Sequence, residues 1–261
     1  MNALNLSKKW ALATLAILSG MLAVPVVSAQ QAPVVQAKNV VLVHGAWADG
    51  SSWAEVIPRL QAAGLNVTAV QNPLSSLQDS VDATRRVLAQ QDGPTVLVAH
   101  SWGGTVISDV GNDPKVSALV YVAARAPDAG EDFVALSGKF PAGAARAGIQ
   151  THDGYTTLSK DAFLKYFANG VQPRQANVLY AVQGATAASL FTGRTTNAAW
   201  REKPSFYAVS RQDQTINPDL ERFLAKRMGA TTIEVDAGHL SMVSHSKQIA
   251  DLILQAAGRA K

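Results

Sequence analysis

Three side chains in this chain have the chemistry of an activated nucleophile. Ser101 stands in Val96-Leu97-Val98-Ala99-His100-Ser101-Trp102-Gly103-Gly104, an apolar run that breaks at a polar residue and passes at once into small, helix-compatible residues. That is the local form of a nucleophile elbow, a sharp strand-to-helix turn that lifts a serine hydroxyl clear of a sheet. The common pattern is Gly-x-Ser-x-Gly; Ala99 takes the first place here, one methyl group larger. The turn needs small residues because strand and outgoing helix nearly touch, and alanine meets that steric demand. A serine hydroxyl needs a base, and the base needs an orienting group. His239, in Asp236-Ala237-Gly238-His239, is the candidate base, and Asp213, in Ser210-Arg211-Gln212-Asp213, the candidate acid. They occur in the order Ser, Asp, His, each beyond the carboxyl end of a predicted strand, where open α/β sheets place ligands.

Other residues compete for these roles. Asp236 is nearer to His239 in sequence, but as the end of a strand it is expected to face elsewhere. His100 adjoins the serine and is expected to point into packing; His245 reads as a helix-start residue. His152 is either a substrate contact or a solvated loop residue. The run Val40-Val41-Leu42-Val43-His44-Gly45-Ala46-Trp47 is an apolar strand entering a flexible turn, in which His44 braces the loop by hydrogen bonding. An oxyanion could accept from the backbone N–H groups of Ala46 and Trp102, the latter at the start of the elbow helix. No pair of histidines has zincin spacing, and both Gly-x-Gly-x-x-Gly and Walker A patterns are absent. The chain has no cysteine, which excludes disulfides, thiolate chemistry and cysteine metal sites. The expectation is therefore a site without metal or cofactor.

The elements that must position these residues alternate along the chain. Short Val-rich strands are predicted at 39–43, 65–70, 95–99, 116–122, 205–209 and 231–235, and helices at 52–63, 77–91, 103–110, 218–227 and 246–257. The layout reads as α/β, a three-layer α/β/α sandwich around a mostly parallel, doubly wound sheet. Residues 127–200 break the rhythm and are too many for an ordinary connection. A small helical cap is expected there. Trp47 together with Phe133, Phe140, Phe163, Phe167 and Trp200 are the candidates for walls of a pocket beneath it, while other apolar residues fill the cap's own core.

Residues 1–29 follow the charged, apolar and small-residue order of a secretory signal peptide: Lys8 and Lys9, then an apolar stretch from Trp10 to Val27, then Val27-Ser28-Ala29 before Gln30. Cleavage after Ala29 would export residues 30–261 as one domain to the periplasm or medium, with no stable hold on a membrane. The formal charge of +4 includes Lys8 and Lys9, and no dense basic cluster suggests a nucleic-acid partner. No pattern specifies an oligomer.

From His44-Gly45-Ala46-Trp47 through Gln71-Asn72-Pro73-Leu74, the elbow, Tyr121-Val122-Ala123-Ala124 and Gly238-His239 to Ser244-His245, the chain resembles the α/β-hydrolase superfamily. Within it, the chain is similar to a compact bacterial branch related to plant methyl esterases and hydroxynitrile lyases. The resemblance implies Ser101 as nucleophile, His239 as base, Asp213 as acid, and Ala46 and Trp102 as oxyanion donors. It implies a small-molecule ester as substrate, of small or medium size and apolar. Two positions depart from the pattern: Ala99 at the elbow, and Ser246 where relatives often have proline. Hydroxynitrile lyases carry a lysine directly after the catalytic histidine; Leu240 stands there, which argues against cyanohydrin cleavage. The same triad would also serve an amidase, a lactonase or a C–C bond hydrolase. A ligand-binding protein without turnover is the alternative of a different class.

Overall fold

The computed structural model describes residues 35–259, so the segment read as a signal peptide lies outside the described residues. Among the described residues nine strands form: β1 (Asn39–Val43), β2 (Asn66–Val70), β3 (Thr95–His100), β4 (Val116–Val122), β5 (Ile149–His152), β6 (Tyr155–Leu158), β7 (Thr186–Ala187), β8 (Ser205–Ser210) and β9 (Thr231–Val235). The helices are α1 (Ile57–Ala62), α2 (Leu77–Ala89), α3 (Gly103–Val110), α4 (Phe133–Ser137), α5 (Lys160–Ala162), α6 (Pro173–Ala181), α7 (Pro218–Met228), α8 (Ser241–Ser244) and α9 (Ser246–Ala256).

Six strands make one all-parallel sheet in the order β2-β1-β3-β4-β8-β9. Every residue of β1 and β3 is buried, as their unbroken apolar runs demand of strands covered on both faces. The chain leaves β1 for β2 on one side, then crosses back to β3 on the other. Right-handed crossovers made in opposite directions lie on opposite faces, so α1 covers one face and α2 and α3 the other. α9 packs against α1 and shares its face. The reversal at β1 and β3 opens a crevice at their carboxyl ends, where the loop after β1 meets the elbow after β3.

Local chemistry sets the helix ends. The Ser76 hydroxyl accepts from the Asp79 N–H at 3.0 Å to open α2, whose Val81, Thr84 and Leu88 turn inward. The Asn217 side chain caps α7 through the Asp219 N–H, Pro218 follows it, and Gly229 closes the helix at φ 61°. The helix expected over 52–63 is instead a short 3-10 turn at Gly50–Trp53 followed by α1. Pro58 cannot donate to a carbonyl of the preceding turn, so the helix restarts around it.

The cap is not purely helical, which corrects the sequence reading. It contains a three-stranded antiparallel sheet in the order β5-β6-β7. Asp153 (φ 47°) and Gly154 (φ 79°) both turn left-handed to join β5 to β6. Such a two-residue Asp-Gly turn, flanked by His152 and Tyr155 with threonines beyond them, is a local hairpin signal independent of periodicity. Beyond it, α5 runs into a π turn at Phe163–Phe167, closed by the Ala168 N–H on the Phe163 carbonyl at 2.7 Å.

Glycines permit the closest approaches in the fold. A Cβ at Gly104 would stand 1.9 Å from the Arg125 carbonyl oxygen, a backbone atom that cannot swing aside. Gly104→Ala is expected to cost about 3 kcal/mol or more and lower the unfolding midpoint by about 6 °C or more. Gly130→Ala, where a Cβ meets nothing within 4 Å and only φ 69° is strained, should cost about 1 kcal/mol. Thermal melts of the two variants beside the parent check the contrast.

Candidate active site

Ser101 is the residue on which β3 turns into α3, and its φ of 54° is left-handed. For a residue with a Cβ this is strained backbone, held here by three bonds. The Ser101 N–H donates to the Val122 carbonyl at 3.2 Å, while the Ser101 carbonyl accepts from Gly104 at 3.1 Å and Arg125 at 3.0 Å. The loop after β1 presses directly on the turn: a Cβ at Gly45 would lie 2.6 Å from the Ser101 Cβ and 3.1 Å from the Trp102 nitrogen. Ala99 is fully buried and carries its methyl group without a left-handed backbone.

Neither the Ala46 N–H nor the Trp102 N–H donates to a backbone acceptor among the described residues. His44 braces their loop. Its Nε2 accepts from the Asn72 N–H at 2.9 Å, which leaves Nδ1–H to donate to the Gly45 carbonyl at 3.0 Å. Burial holds the His44 pKa down, in keeping with a neutral ring. Trp47 is also left-handed, at φ 55°, and the cap sheet fixes it there. Its N–H donates to the Thr186 hydroxyl at 3.0 Å and its indole N–H to the Thr156 hydroxyl at 3.1 Å.

His239 lies fully buried on the loop after β9. Its Nδ1 is 2.5 Å from Asp213 Oδ2, on the loop after β8. The other Asp213 oxygen accepts from the Thr215 and Ile216 N–H groups at 2.6 and 2.9 Å, so the carboxylate is oriented and charge-stabilised. His239 Nε2 has no partner among the described residues. It is not hydrogen-bonded to Ser101, a looseness common before substrate binds. Gly238 lets this loop lie against the cap, since a Cβ there would stand 2.2 Å from Asn169 Oδ1. The Asn169 amide in turn donates to the Gln212 carbonyl at 2.9 Å, linking cap and acid loop.

The competing residues fall elsewhere. Asp236 is exposed and accepts from the Gln212 amide at 2.9 Å. His100 is buried, with its ring 4.5 Å from that of His239 and its Nε2 3.1 Å from the His239 carbonyl. Burial, reinforced by His239, keeps the His100 pKa well below the usual histidine range. His245 stands at the start of α9 and bonds Ser244, and Ser246 accepts from Arg59 at 3.2 Å. His152 is on the exposed hairpin beside Asp153. Among the described residues no cluster of three or more His, Asp or Glu side chains could hold a metal.

The expected pocket walls divide. Phe167 packs on His239 at 5.1 Å and on Trp47 at 6.2 Å between ring centroids. Phe163 backs Phe167 at 4.9 Å and Tyr180 at 5.6 Å, within the cap's core. Phe133 packs against Arg125. Phe140 and Trp200 make ring contacts with residues other than Trp47 and His239. Phe140 leaves the cap to pack on Phe223 of α7, 5.8 Å away. Trp200 is pinned by its indole N–H on the Pro127 carbonyl at 2.8 Å, in a turn that packs on α3, with Arg201 over its ring. Phe191, which no periodicity marked, packs with its ring 5.3 Å from Trp47. The Trp102 indole N–H donates to the Leu190 carbonyl of the cap at 3.1 Å.

Glu221 of α7 is the other residue that sequence reasoning missed. It is fully buried and one oxygen accepts from the Ser210 N–H at 2.9 Å, but the second has no hydrogen-bond partner among the described residues. Burial and the adjacent Asp213 carboxylate raise its pKa well above the carboxylic range.

The geometry agrees with what known proteins resemble this chain. Residues 40–252 match the model of the Alpha/beta hydrolase family. The chain belongs to that family. It is 33% identical over 112 residues to the carbendazim hydrolyzing esterase of Nocardioides sp. (strain SG-4G), a match covering 38% of this chain and 46% of that protein. It is 24% identical over 250 residues to methylesterase 2 of Arabidopsis thaliana, covering 83% of this chain and 95% of the relative. Among solved structures, polyneuridine aldehyde esterase superposes with a TM-score of 0.71 at 18% identity, over 84% of this chain and 99% of the other, a likeness of fold.

Glu221 gives this hydrolase a pH signature. Its folded pKa lies above the unfolded value, so folding holds a proton that the unfolded chain releases, and stability falls as pH rises toward the folded pKa. Glu221→Gln stays neutral throughout, and its unfolding midpoint should fall less than the parent's between about pH 6 and about pH 9. Thermal melts across that range check it.

Proposed function

We propose that this protein is a serine hydrolase of small or medium apolar carboxylic esters, acting through an acyl-enzyme on Ser101. The reading rests on one observation above all: the 2.5 Å His239–Asp213 contact occupies Nδ1 and leaves Nε2 without a partner among the described residues, while Ser101 is held at φ 54° on the turn after β3. Ser101 Oγ attacks the ester carbonyl as His239 Nε2 takes its proton. Asp213 keeps the Nδ1–H tautomer and stabilises the imidazolium. The Ala46 and Trp102 N–H groups donate to the tetrahedral oxyanion. His239 then protonates the departing alcohol and activates the water that releases the acid. Trp47, Phe167 and Phe191 offer the substrate apolar rings. The esterase and methylesterase relatives support ester rather than amide as the bond. Read from sequence, residues 1–29 direct export, so the enzyme works in the periplasm or medium.

With 4-nitrophenyl butyrate as substrate, Ser101→Ala should lower kcat by about a thousandfold or more. Asp213→Asn should lower it by about ten-thousandfold, because the amide favours the wrong imidazole tautomer. Asp236→Asn should stay within about threefold of the parent. Steady-state kinetics of the three variants check the assignment; a large loss in Asp236→Asn with Asp213→Asn active would reverse it.

A further inference from the structure

Four arginines are half-buried among the described residues: Arg125, Arg222, Arg227 and Arg259. Three have their charge or donors answered. Arg222 pairs with Glu234 and Asp219, Arg227 with Glu131, and Arg259 bonds the carbonyls of Ala37 and Ala63. Arg125 has no carboxylate partner and a single long contact, Nη1 to the Phe191 carbonyl at 3.4 Å. Its guanidinium lies between the rings of Phe133 and Phe191, 4.8 and 5.4 Å from their centroids. Burial alone shifts its pKa, down to about 10, so the ion stays charged with no acidic side chain near enough to offset the shift.

Its placement relates this cation to the reaction. The Arg125 N–H donates to the Ser101 carbonyl at 3.0 Å, so the residue leaves the sheet beside the nucleophile. The Phe191 ring against which the guanidinium packs is itself 5.3 Å from Trp47, the residue after the Ala46 oxyanion donor. One aromatic ring separates an unpaired, planar donor fork from the oxyanion loop. A guanidinium presents a geometry matched to a carboxylate, and aromatic faces steady its plane without using its N–H donors. We propose that Arg125 is a specificity residue that receives an anionic group of the substrate, so that the preferred esters carry a carboxylate at a distance from the scissile carbonyl. This rests on the ester hydrolase reading and narrows it: aromatic rings bind the body of the substrate, and Arg125 binds its charged end.

The test compares matched esters. On the acyl side, the 4-nitrophenyl monoester of adipic acid is set against 4-nitrophenyl heptanoate; on the alcohol side, 4-butyryloxybenzoate is set against 4-methylphenyl butyrate. The ratio of kcat/KM for the charged over the neutral ester is measured in the parent, Arg125→Met and Arg125→Lys. For one of the two pairs the ratio should fall about tenfold or more in Arg125→Met, mainly through KM, and recover in part in Arg125→Lys. The pair that responds tells which end of the ester carries the anion. A ratio unchanged in both pairs, with both variants folded by circular dichroism, overturns the proposal and leaves Arg125 as a structural residue. Binding without turnover separates this outcome from failure of the hydrolase reading. If no ester is hydrolysed, calorimetric titration with 4-butyramidobenzoate and with monomethyl adipate should still show saturable binding to the parent that Arg125→Met weakens about tenfold for at least one ligand. Equal binding, or none, to either protein overturns the proposal on that route as well.

Discussion

The left-handed turn at Ser101 is the constraint from which the rest of the site follows. A serine at φ 54° carries backbone strain of order 1–3 kcal/mol, and it persists because its neighbours leave the chain no other path. Both sides of the turn are in backbone contact: Gly45 of the β1 loop meets the Ser101 Cβ, and Gly104 of α3 meets the Arg125 carbonyl. A side chain at either glycine would push apart segments that the turn brings into close contact. The parallel sheet makes this crowding possible. Its strand order reverses between β1 and β3, so the loops after those strands meet over the same crevice.

Around this rigid centre the cap acts as a clamp from outside the sheet. Thr186 and Thr156 hold Trp47 in its left-handed conformation, Asn169 bridges to the acid loop, and Phe167 lies against the His239 ring. The oxyanion loop and the histidine are therefore both oriented by residues from one insertion. Beneath them lies a second layer of polar groups with little access to water. His100 lies against the His239 carbonyl, while Glu221 accepts from the Ser210 N–H, with burial and the adjacent Asp213 carboxylate raising its pKa. Low dielectric makes an unanswered polar group there costly, and the Thr215 and Ile216 N–H groups answer the Asp213 carboxylate.

Much of this was legible in the sequence, for identifiable reasons. β1, β3, β4 and β8 are unbroken or nearly unbroken apolar runs, and the ends of β3, β8 and β9 place Ser101, Asp213 and His239 at one sheet edge. The glycines and small residues at the elbow announced a close crossing. The cap was less readable because its elements are short, and its hairpin depends on the Asp153-Gly154 turn rather than on periodicity. Aromatic residues in such a region are ambiguous by type. Phe140 and Trp200 serve packing against α7 and α3, while Phe191 faces Trp47, and only tertiary contacts separate those roles. Glu221 looked like an acidic residue near a helix start, a usual place for surface charge. Its burial against Asp213 is set by the approach of α7 to β8, which no local pattern encodes.

Active-serine labelling tests the central claim most directly. The purified protein is treated with a fluorophosphonate probe, digested and mapped by mass spectrometry, beside Ser101→Ala and heat-unfolded protein. The account predicts one adduct, on Ser101, formed only in the folded parent and abolished by the substitution. Ester turnover with no adduct on Ser101, or with the adduct on another residue, would contradict it.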